Sequence, residues 1–330
     1  MKLATLRDGS RDGHLVLVSR DLALAVSARP HAATLAEAIE AWDQVAPALA
    51  DLHQRLELRQ AASAFAFDPA QVMAPLPRTF QWCDGSAFLQ HGQRMQQAFG
   101  LPPIADVDRI PLMYQGAGDD FLGAREAIQV ADPVYGIDFE GEFAVVVDDV
   151  PMGCTAAEAE RHIKLIVQLN DVSLRSMAPR EMSTGFGFIH AKPSTSFAPV
   201  AITPDELGEG WQGGRVRLRL QTELNGEWFG HPCAGQMHFS FPQLIAHAAL
   251  TRRLGAGTII GSGTVSSANE ADGFSCISER RAVDKIRGRE LTEYLQFGDV
   301  VRMRALDEQG AAPFGSIEQV VTAAPQPGGR

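Results

Sequence analysis

The amino-acid sequence predicts an α+β protein whose core is mostly β-sheet. Short runs with strand-type patterns outnumber helical patterns, and 31 glycines and 19 prolines interrupt them with turns. Strands and helices do not alternate regularly, which argues against a doubly wound or barrel α/β fold. The predicted core strands are residues 139–147, 216–224, 227–229, 257–260 and 300–304, and the helices predicted beside them are residues 87–99, 155–169 and 242–254.

A small module is predicted at the start of the chain. Two strand patterns, residues 3–6 and 14–19, are separated by Asp-Gly pairs that favour turns. Thr34 and Glu37 form a capping-box pattern for a helix that continues to about residue 58. Beyond it, Pro75 and Pro77 mark a change of pattern. The predicted units are an N-terminal module (residues 1–74), a larger domain (residues 75–322) and a disordered tail (residues 323–330).

Composition and charge exclude several classes of function. The chain has 330 residues, 45% of them hydrophobic, which is ordinary for a globular protein. A formal net charge of −11 argues against nucleic acid and acidic membrane surfaces as partners. The four cysteines lie far apart, so neither a disulfide framework nor a zinc ribbon is predicted. No long apolar stretch opens the chain, and a cytoplasmic location is therefore expected.

Three carboxylates alternate along one predicted strand. Asp138, Glu140 and Glu142 would share a face because side chains in a strand alternate with period two. The apolar residues 144–147 would carry the strand into the interior, where uncompensated negative charge is costly without a cation. The alternative is a solvated strand face, which the spacing alone favours.

Two further aspartates have ambiguous local settings. Asp171 would follow the helix that ends near residue 169, where the helix dipole disfavours a carboxylate unless Arg175 or a metal lies beside it. Capping by Asn170 is the alternative. Asp84 precedes the short helix that carries His91, and taken alone it fits an N-cap. A set of carboxylate oxygens would select Mg²⁺, Mn²⁺ or Ca²⁺ over zinc.

Taken together, these segments resemble the fumarylacetoacetate hydrolase family over roughly residues 75–305. The segments that carry the resemblance are Asp138-Phe-Glu-Gly-Glu142, Asn170-Asp-Val-Ser-Leu-Arg175, Lys192 and Gly261-Ser-Gly-Thr264. Their order along the chain is the family's order, which is more specific than any single motif.

The resemblance extends to the hydrolytic branch of the family. Asp84 and His91 have the spacing of hydrolytic members, and Glu279 follows Phe274 at the family interval. Tyr114 matches a family tyrosine that faces the substrate. The chain departs from the family at Gly85-Ser86 and Met177-Ala178, where some members have an aromatic residue and a glutamine. These departures concern substrate contacts, so they put the identity of the acyl group in question.

The resemblance implies a mixed β-sandwich or roll core that binds a divalent ion, with Mg²⁺ favoured and Ca²⁺ or Mn²⁺ as alternatives. The implied metal ligands are Asp84, Glu140, Glu142 and Asp171. The implied catalytic residues are His91, Glu279 and Lys192, and the implied substrate-binding residues are Arg175, Tyr114 and Thr264. It also implies a homodimer that hydrolyses a carbon–carbon bond in a diketo acid, such as fumarylacetoacetate or an acylpyruvate, during the breakdown of aromatic compounds including tyrosine.

Other interpretations fit the same residues. One is a 2-keto acid decarboxylase or hydratase-like member that uses the metal without the histidine–glutamate pair. Another is a non-catalytic metal-binding paralogue. Locally, His91 could be a packed surface residue, Lys192 a solvated loop charge, and Arg175 a structural partner of Asp171. Thr264 could simply be a turn residue beside glycine.

Overall fold

One long sheet and one smaller sheet contain most of the strands. The computed structural model describes residues 1–325. Within that range the strands are β1 (Lys2–Leu6), β2 (His14–Val18), β3 (Leu24–Ser27), β4 (Phe65–Ala66), β5 (Trp82–Gly85), β6 (Met113–Gly116), β7 (Ile128–Val130), β8 (Ile137–Asp138), β9 (Gly141–Val147), β10 (Ile163–Asn170), β11 (Ser173–Leu174), β12 (Ser196–Phe197), β13 (Ala201–Ile202), β14 (Trp211–Gln212), β15 (Arg215–Val216), β16 (Arg219–Leu224), β17 (Glu227–Gly230), β18 (Ile259–Gly261), β19 (Val300–Leu306) and β20 (Ile317–Ala323).

Helices lie at the edges and on the faces of these sheets. In the same range they are α1 (Leu35–Glu40), α2 (Trp42–Glu57), α3 (Leu89–Phe99), α4 (Ala156–Ala159), α5 (Ala178–Thr184), α6 (Phe241–Ala248) and α7 (Ile277–Ile286). Strands outnumber helices and do not alternate with them in βαβ order. The prediction of an α+β fold with a β-dominated core is confirmed.

The long sheet joins the N-terminal strands to the later ones. Its order is β4-β3-β2-β1-β13-β10-β9-β18-β5-β6, with β12 also paired to β10. Most neighbours are antiparallel, whereas β18 and β5 are parallel. Lys2 of β1 lies opposite Ile202 of β13. The predicted boundary near residue 75 therefore separates segments of sequence that share one sheet.

The centre of the long sheet is buried on both faces. Along β9, Phe143 and Val145 belong to one apolar cluster while Ala144 and Val146 belong to the other. The first cluster fills the space against the five-stranded sheet β17-β16-β19-β20-β7. The second is covered by α1 and α2. This two-sided burial explains why residues 144–147 form a continuous apolar run.

The five-stranded sheet packs closely on β9 and β10. A Cβ added at Gly141 would lie 2.6 Å from Cδ2 of Leu220, so glycine allows the two sheets to approach. From β10, the buried Gln168 side chain accepts a hydrogen bond from the backbone N–H of Ala305, at 2.9 Å. The two sheets therefore form a layered core whose interior contains the strands with the predicted site residues.

The predicted helix over residues 155–169 is wrong beyond its first turn. Thr155 and Glu158 do form a capping box, but α4 ends at Ala159 and a short 3-10 turn leads into strand β10. The apolar run from residue 163 pairs with β9, with Leu165 opposite Val146. Short apolar runs are ambiguous between strand and helix, and here pairing with a central strand decides the outcome.

Other elements differ from the predictions mainly in their bounds. The predicted helix from Thr34 is divided at Ala41 into α1 and α2, and the Thr34 side chain caps α1 by accepting the N–H of Glu37. The strand patterns and the helices predicted near residues 87 and 242 have observed counterparts. Helix α7 and strand β20 were not predicted.

The C-terminal prediction is only partly within the described residues. Ala323 is the last residue of β20 and pairs with Val130, and the N–H of Ala324 bonds to the Val130 carbonyl at 3.0 Å. Residues 326–330 of the predicted disordered tail lie outside the described range. None of the helices in residues 1–325 combines the length and apolar character needed to cross a bilayer.

Candidate active site

Three carboxylates meet where neighbouring strands of the long sheet end. Asp84 lies near the end of β5, Glu142 lies in β9, and Asp171 directly follows β10. Because β10, β9, β18 and β5 are consecutive in the sheet, these positions are adjacent in space. One oxygen from each carboxylate lies within 4.8 Å of the others, and all three residues are buried.

Asp171 is held by a dense set of donors. Its Oδ1 accepts from Oγ1 of Thr195 at 2.8 Å. Its Oδ2 accepts from Nζ of Lys192 at 2.6 Å and from the hydroxyl of Tyr114. Since Asp171 follows a strand, the expected conflict with a helix dipole does not exist. The side chain is oriented instead by Thr195, Lys192 and Tyr114.

Two glycines of the Gly-Ser-Gly-Thr segment make room for Asp84. A Cβ on Gly261 would lie 2.3 Å from Oδ1 of Asp84, closer than any real contact. The N–H of Gly263 donates to the same Oδ1 at 3.0 Å, and Gly263 has a φ of +74° that favours glycine. Thr264, which follows, is buried beside this turn. Asp84 does not cap a helix, because α3 starts at Leu89.

The carboxylates of the D-x-E-x-E motif do not share one strand face, contrary to the prediction. Strand β8 ends at Asp138 and β9 begins at Gly141, so the alternation is broken between them. The backbone N–H of Glu140 donates to the Asn170 side chain at 3.0 Å in this break. The three carboxyl groups consequently have three different sets of partners.

Asp138 binds the start of helix α7. Its two oxygens accept the backbone N–H groups of Ile277 at 2.7 Å and Ser278 at 2.9 Å. Nε of Arg175 donates to Asp138 at 2.8 Å. A carboxylate at a helix N-terminus is favourable for both the free N–H groups and the helix dipole. Asp138 therefore fixes the helix that carries Glu279.

Glu140 lies beside the three-carboxylate group and is paired with two cations. Its oxygens accept from Nη2 of Arg175 and from Nζ of Lys192, each at 2.5 Å. These charges lower the pKa of Glu140 although burial acts in the opposite direction. Lys192 also contacts Asp171, so it connects Glu140 to the group. The pKa of Lys192 is raised by Asp171 and Glu140 against the effect of its burial.

The remaining negative charge is not neutralised by the chain. Five buried carboxylates, those of Asp84, Asp138, Glu140, Glu142 and Asp171, lie beside two cations, Arg175 and Lys192, whose side chains are 18% and 9% exposed. With all five carboxylates ionised, three negative charges would be left over in this part of the described structure.

Asp84 and Glu142 are the two carboxylates that pair with neither Arg175 nor Lys192, and the excess of negative charge affects both. Burial raises the pKa of Asp84 to about 8, and the charges of Asp171 and Glu140 add to the effect. Burial, followed by Asp84 and Asp171, raises the pKa of Glu142 well above its usual range. Both Glu142 oxygens are buried without a hydrogen-bond partner among the described residues. A divalent cation fits these observations, because it would supply positive charge and a partner for the two unpaired Glu142 oxygens.

A histidine–glutamate pair lies on two neighbouring helices. Nδ1 of His91 on α3 is 3.3 Å from Oε2 of Glu279 on α7. Glu279 is fully buried, which acts to raise its pKa, but the hydrogen bonds from His91, Ser266 and Arg94 lower the pKa overall. Because an ionised carboxylate can only accept, Nδ1 carries the hydrogen and Nε2 is left as the free acceptor.

This pair adjoins the carboxylate group through the backbone. Cys276, the N-cap residue of α7, forms an isolated β-bridge with Glu140. Its Sγ accepts the N–H of Glu279 at 3.3 Å. The break between β8 and β9 therefore positions Glu140 and the start of α7 together. All ten residues predicted for the site lie in elements that converge here, while their individual roles remain predictions.

Several residues that shape the site were given no role there by the sequence analysis, although Asn170 was part of a quoted motif. Thr195 binds Asp171, Asn170 binds the backbone of Glu140, and both Ser266 and Arg94 bind Glu279. Arg94 could have been predicted from the sequence, because it lies about one helical turn after His91 and therefore on the same face of the helix. The others come from loops or strand ends whose contacts span more than 10 residues of sequence and have no local pattern.

A separate groove of about 890 Å³ lies against α2 and the start of β10. Its lining includes Trp42, His53 and Lys164 and contains none of the predicted site residues. This groove is therefore separate from the predicted site. The charge and hydrogen-bond arguments identify the carboxylate group instead.

The fold is a strand-rich α+β fold. Its buried carboxylates could hold a metal ion, and a histidine–glutamate pair lies beside them, an arrangement suited to metal-assisted acid–base chemistry. The chain belongs to the fumarylacetoacetate hydrolase family. The model of the fumarylacetoacetate hydrolase C-terminal domain matches residues 81–322. The model of fumarylacetoacetase N-terminal domain 2 matches residues 1–78.

Individual relatives differ in activity. Oxaloacetate tautomerase YisK of Bacillus subtilis (strain 168) is 26% identical over 227 residues, which cover 67% of this chain and 70% of that protein. Fumarylacetoacetate hydrolase from Exiguobacterium antarcticum has 17% identity and a TM-score of 0.66, covering 98% of this chain and 100% of that one. Maleylpyruvate hydrolase from Sphingobium sp. SYK-6, in complex with manganese(II) and pyruvate, has 15% identity, a TM-score of 0.66 and the same coverage. The two structural similarities show the fold, whereas membership of the family rests on the two domain models.

Proposed function

We propose that this enzyme hydrolyses a carbon–carbon bond in a diketo acid, such as fumarylacetoacetate or an acylpyruvate, with the help of a divalent metal ion. The observation that carries the proposal is the His91–Glu279 hydrogen bond beside a buried group of carboxylates. Hydrolysis needs a base for water, and a histidine with one nitrogen held by a carboxylate is suited to that task. A site for binding alone would not need such a pair.

The ion would be held by Asp84, Glu142 and Asp171, with Glu140 as a further ligand, and would polarise the dicarbonyl oxygens as a Lewis acid. Mg²⁺ is the ion we favour, with Mn²⁺ and Ca²⁺ as alternatives, since all ligands are oxygens. The manganese complex of the maleylpyruvate hydrolase supports a divalent ion in general.

The proton transfers fall to residues of this chain. Nε2 of His91 takes a proton from water while Glu279 holds Nδ1–H, and the water oxygen bonds to the carbonyl carbon beside the scissile bond as the π pair moves onto the carbonyl oxygen. The C=O bond then re-forms, the carbon–carbon bond breaks, and its electron pair leaves with the departing carbon as an enolate. Lys192, whose raised pKa keeps it cationic, stabilises that negative charge, and His91 returns the proton.

Three further roles belong to the same proposal. Tyr114 and Thr264 would contact the substrate, and Arg175 would orient it through its guanidinium group. Arg175 is already bound to Asp138 and Glu140, so its contribution to substrate binding would use its remaining N–H groups. We further propose that the protein is a homodimer, which light scattering tests through the molar mass. We also propose that it acts in the breakdown of aromatic compounds, which is compatible with the family.

A second candidate is tautomerisation of a 2-keto acid such as oxaloacetate. It is favoured by the 26% identity to the Bacillus subtilis tautomerase. Tautomerisation moves a proton between carbon and oxygen and requires no attack by water. The same metal ligands and base could serve both reactions, so the substrate decides between them. Decarboxylation of a 2-keto acid remains the alternative within the family.

The test measures the loss of diketo ultraviolet absorbance with fumarylacetoacetate, fumarylpyruvate and acetylpyruvate, with Mg²⁺ and with chelator. Metal-dependent loss on one substrate is expected, and His91→Ala should lower its rate about 10²- to 10⁴-fold. His31→Ala, a histidine outside the site, is the matched control. Oxaloacetate enol–keto conversion is measured in parallel. Conversion of oxaloacetate without hydrolysis of any diketo acid would replace the first proposal by the second.

A further inference from the structure

We propose that Arg94 is a positioning residue that holds Glu279 in the orientation and charge state that the His91–Glu279 pair requires. The catalytic part of this inference rests on the proposed hydrolysis. The geometric part concerns the state of His91 and can be tested without any substrate. Ser266 acts with Arg94 on the same oxygen.

The two oxygens of Glu279 have separate partners. Oε1 accepts from Nη1 of Arg94 at 2.5 Å and from Oγ of Ser266 at 2.7 Å. Oε2 is the oxygen that faces Nδ1 of His91, at 3.3 Å. With Oε1 fixed by two donors, the carboxylate cannot rotate freely, and Oε2 stays directed at the imidazole.

Arg94 is itself held on several sides. It lies three residues after His91 on α3, and therefore on the same face of the helix. Its Nη1 also contacts Oγ of Ser266 at 3.3 Å, and Nη2 contacts the carbonyl of Ala268 at 3.4 Å. The guanidinium carbon lies 5.8 Å from the ring centre of Phe274. The side chain thus connects α3, the loop before α7 and α7 itself.

The charge of Arg94 has a direct consequence for catalysis. Glu279 is fully buried, and a buried carboxylate is stable as an anion only next to a positive charge. Arginine is always protonated, so Arg94 supplies that charge permanently, and His91 is needed only as a hydrogen-bond donor to Oε2.

A substrate-binding role for Arg94 is the competing explanation. Arginines in active sites often bind carboxylates directly. Here, however, both terminal nitrogens already have partners in the chain, and only 13% of the side chain is exposed. The two roles differ in kinetics, because loss of a substrate contact raises KM whereas loss of positioning lowers kcat.

The experiment compares Arg94→Met with Arg94→Lys, and uses Arg280→Met as the matched control. Arg280 also lies 5.8 Å from the Phe274 ring centre, but it pairs with Asp284 instead of Glu279. We expect Arg94→Met to lower kcat about 10- to 100-fold with KM changed less than about 2-fold. Arg94→Lys should recover part of the loss, and Arg280→Met should behave as the wild type. Ser266→Ala, which removes the other donor to Oε1, should lower kcat by a smaller factor.

The second measurement is nitrogen NMR of histidine-labelled, substrate-free protein, with the His91 signals assigned from His91→Ala. The wild type should show the tautomer with hydrogen on Nδ1. Arg94→Met should lose that single tautomer, and Arg280→Met should keep it. An unchanged tautomer in Arg94→Met, or a raised KM at constant kcat, would overturn the inference. If no substrate is turned over, the proposed function fails, while the NMR result still decides the role of Arg94.

Discussion

At the scale of single residues, the absence of a side chain at Gly261 is as important as the carboxylates themselves. Gly261 pairs with Asp84 across parallel strands β18 and β5, and its missing Cβ leaves space for the Asp84 carboxylate. A methyl group there would occupy the position of Oδ1. The residue type is therefore required by packing at the metal site and not by backbone freedom.

Gly261→Ala is expected to weaken binding of Mg²⁺ or Mn²⁺ at least about 10-fold, because Asp84 must turn away from Glu142 and Asp171. Gly255→Ala is the control, since a Cβ added there meets nothing within 4 Å. Metal binding is measured by calorimetry and the fold by circular dichroism. Equal affinities in the two variants would contradict the packing argument.

The raised pKa values of Asp84 and Glu142 predict a pH-dependent stability for the metal-free protein. An acid whose pKa is higher in the folded state stabilises the fold at low pH and loses that stabilisation as pH rises through the folded value. For Asp84 the window runs from the ordinary value of 3.8 to about 8. The melting temperature of metal-free protein should therefore fall between these values.

A divalent ion should reverse this effect, since it binds the ionised carboxylates. We expect Mg²⁺ or Mn²⁺ to raise the melting temperature more at about pH 8 than at about pH 5. Glu142→Gln should reduce the fall in melting temperature with pH in the metal-free protein. It should also reduce the rise in melting temperature on adding metal. Asp68→Asn on the surface should change neither quantity. Scanning calorimetry measures both quantities. A metal effect independent of pH would argue against these carboxylates as the ligands.

At the scale of elements, helix α7 is fixed by the chain segment that also positions Glu140. Asp138 accepts the N–H groups of Ile277 and Ser278, and Cys276 pairs with Glu140. In the D-x-E-x-E segment, Asp138 thus caps helix α7, whereas Glu140 and Glu142 belong to the candidate site. This connection holds Glu279, the partner of His91, next to the chain segment that carries Glu140.

Asp138→Ala is expected to lower the free energy of unfolding by about 3–5 kcal/mol, the usual cost of removing one partner of a buried ion pair. Arg175 would lose one of its two carboxylates, and α7 would lose its cap. Asp68→Ala, which removes an exposed cap from a 3-10 turn, should cost at most about 1 kcal/mol. Urea unfolding measures both changes. Similar losses in the two variants would contradict the assigned role.

At the scale of the whole molecule, the sheet makes the N-terminal module and the larger domain depend on each other. Strand β1 pairs with β13, and Leu3 and Leu15 share an apolar cluster with Val146 and Leu165. Both segments bury the same core. A module that could separate would leave the edge of β13 and one face of β9 in water.

We therefore expect a single cooperative thermal transition for residues 1–330, with equal calorimetric and van't Hoff enthalpies. A chain beginning at residue 79 should be insoluble or melt at least about 10 °C lower, because the apolar cluster of β9 and β10 would lose its cover. Two resolved transitions, or a stable truncated chain, would show that the units fold independently.

The sequence by itself determined those features that depend on local patterns. The caps at Thr34 and Thr155, the strand-rich character and the two-sided apolar run of β9 follow from periodicity and side-chain chemistry. The order of the motifs over residues 75–305 also predicted the family, which the two domain models confirm. The ten predicted site residues lie in segments that converge, and their roles stay predictions. For the caps and the strand patterns, local chemistry is sufficient because the causes lie within a few residues of each other.

Only the tertiary structure decided features whose causes are distant in sequence. Residues 163–170 form a strand because β9 and β13 lie on either side of them. Asp138 does not share a strand face with Glu140 and Glu142, because it binds the free N–H groups at the start of helix α7, about 139 residues later. Arg94 became part of the site because Glu279 is buried beside it. Strand pairing, burial and the ion-pair partner of a charged residue depend on the folded chain and cannot be read from a local sequence pattern.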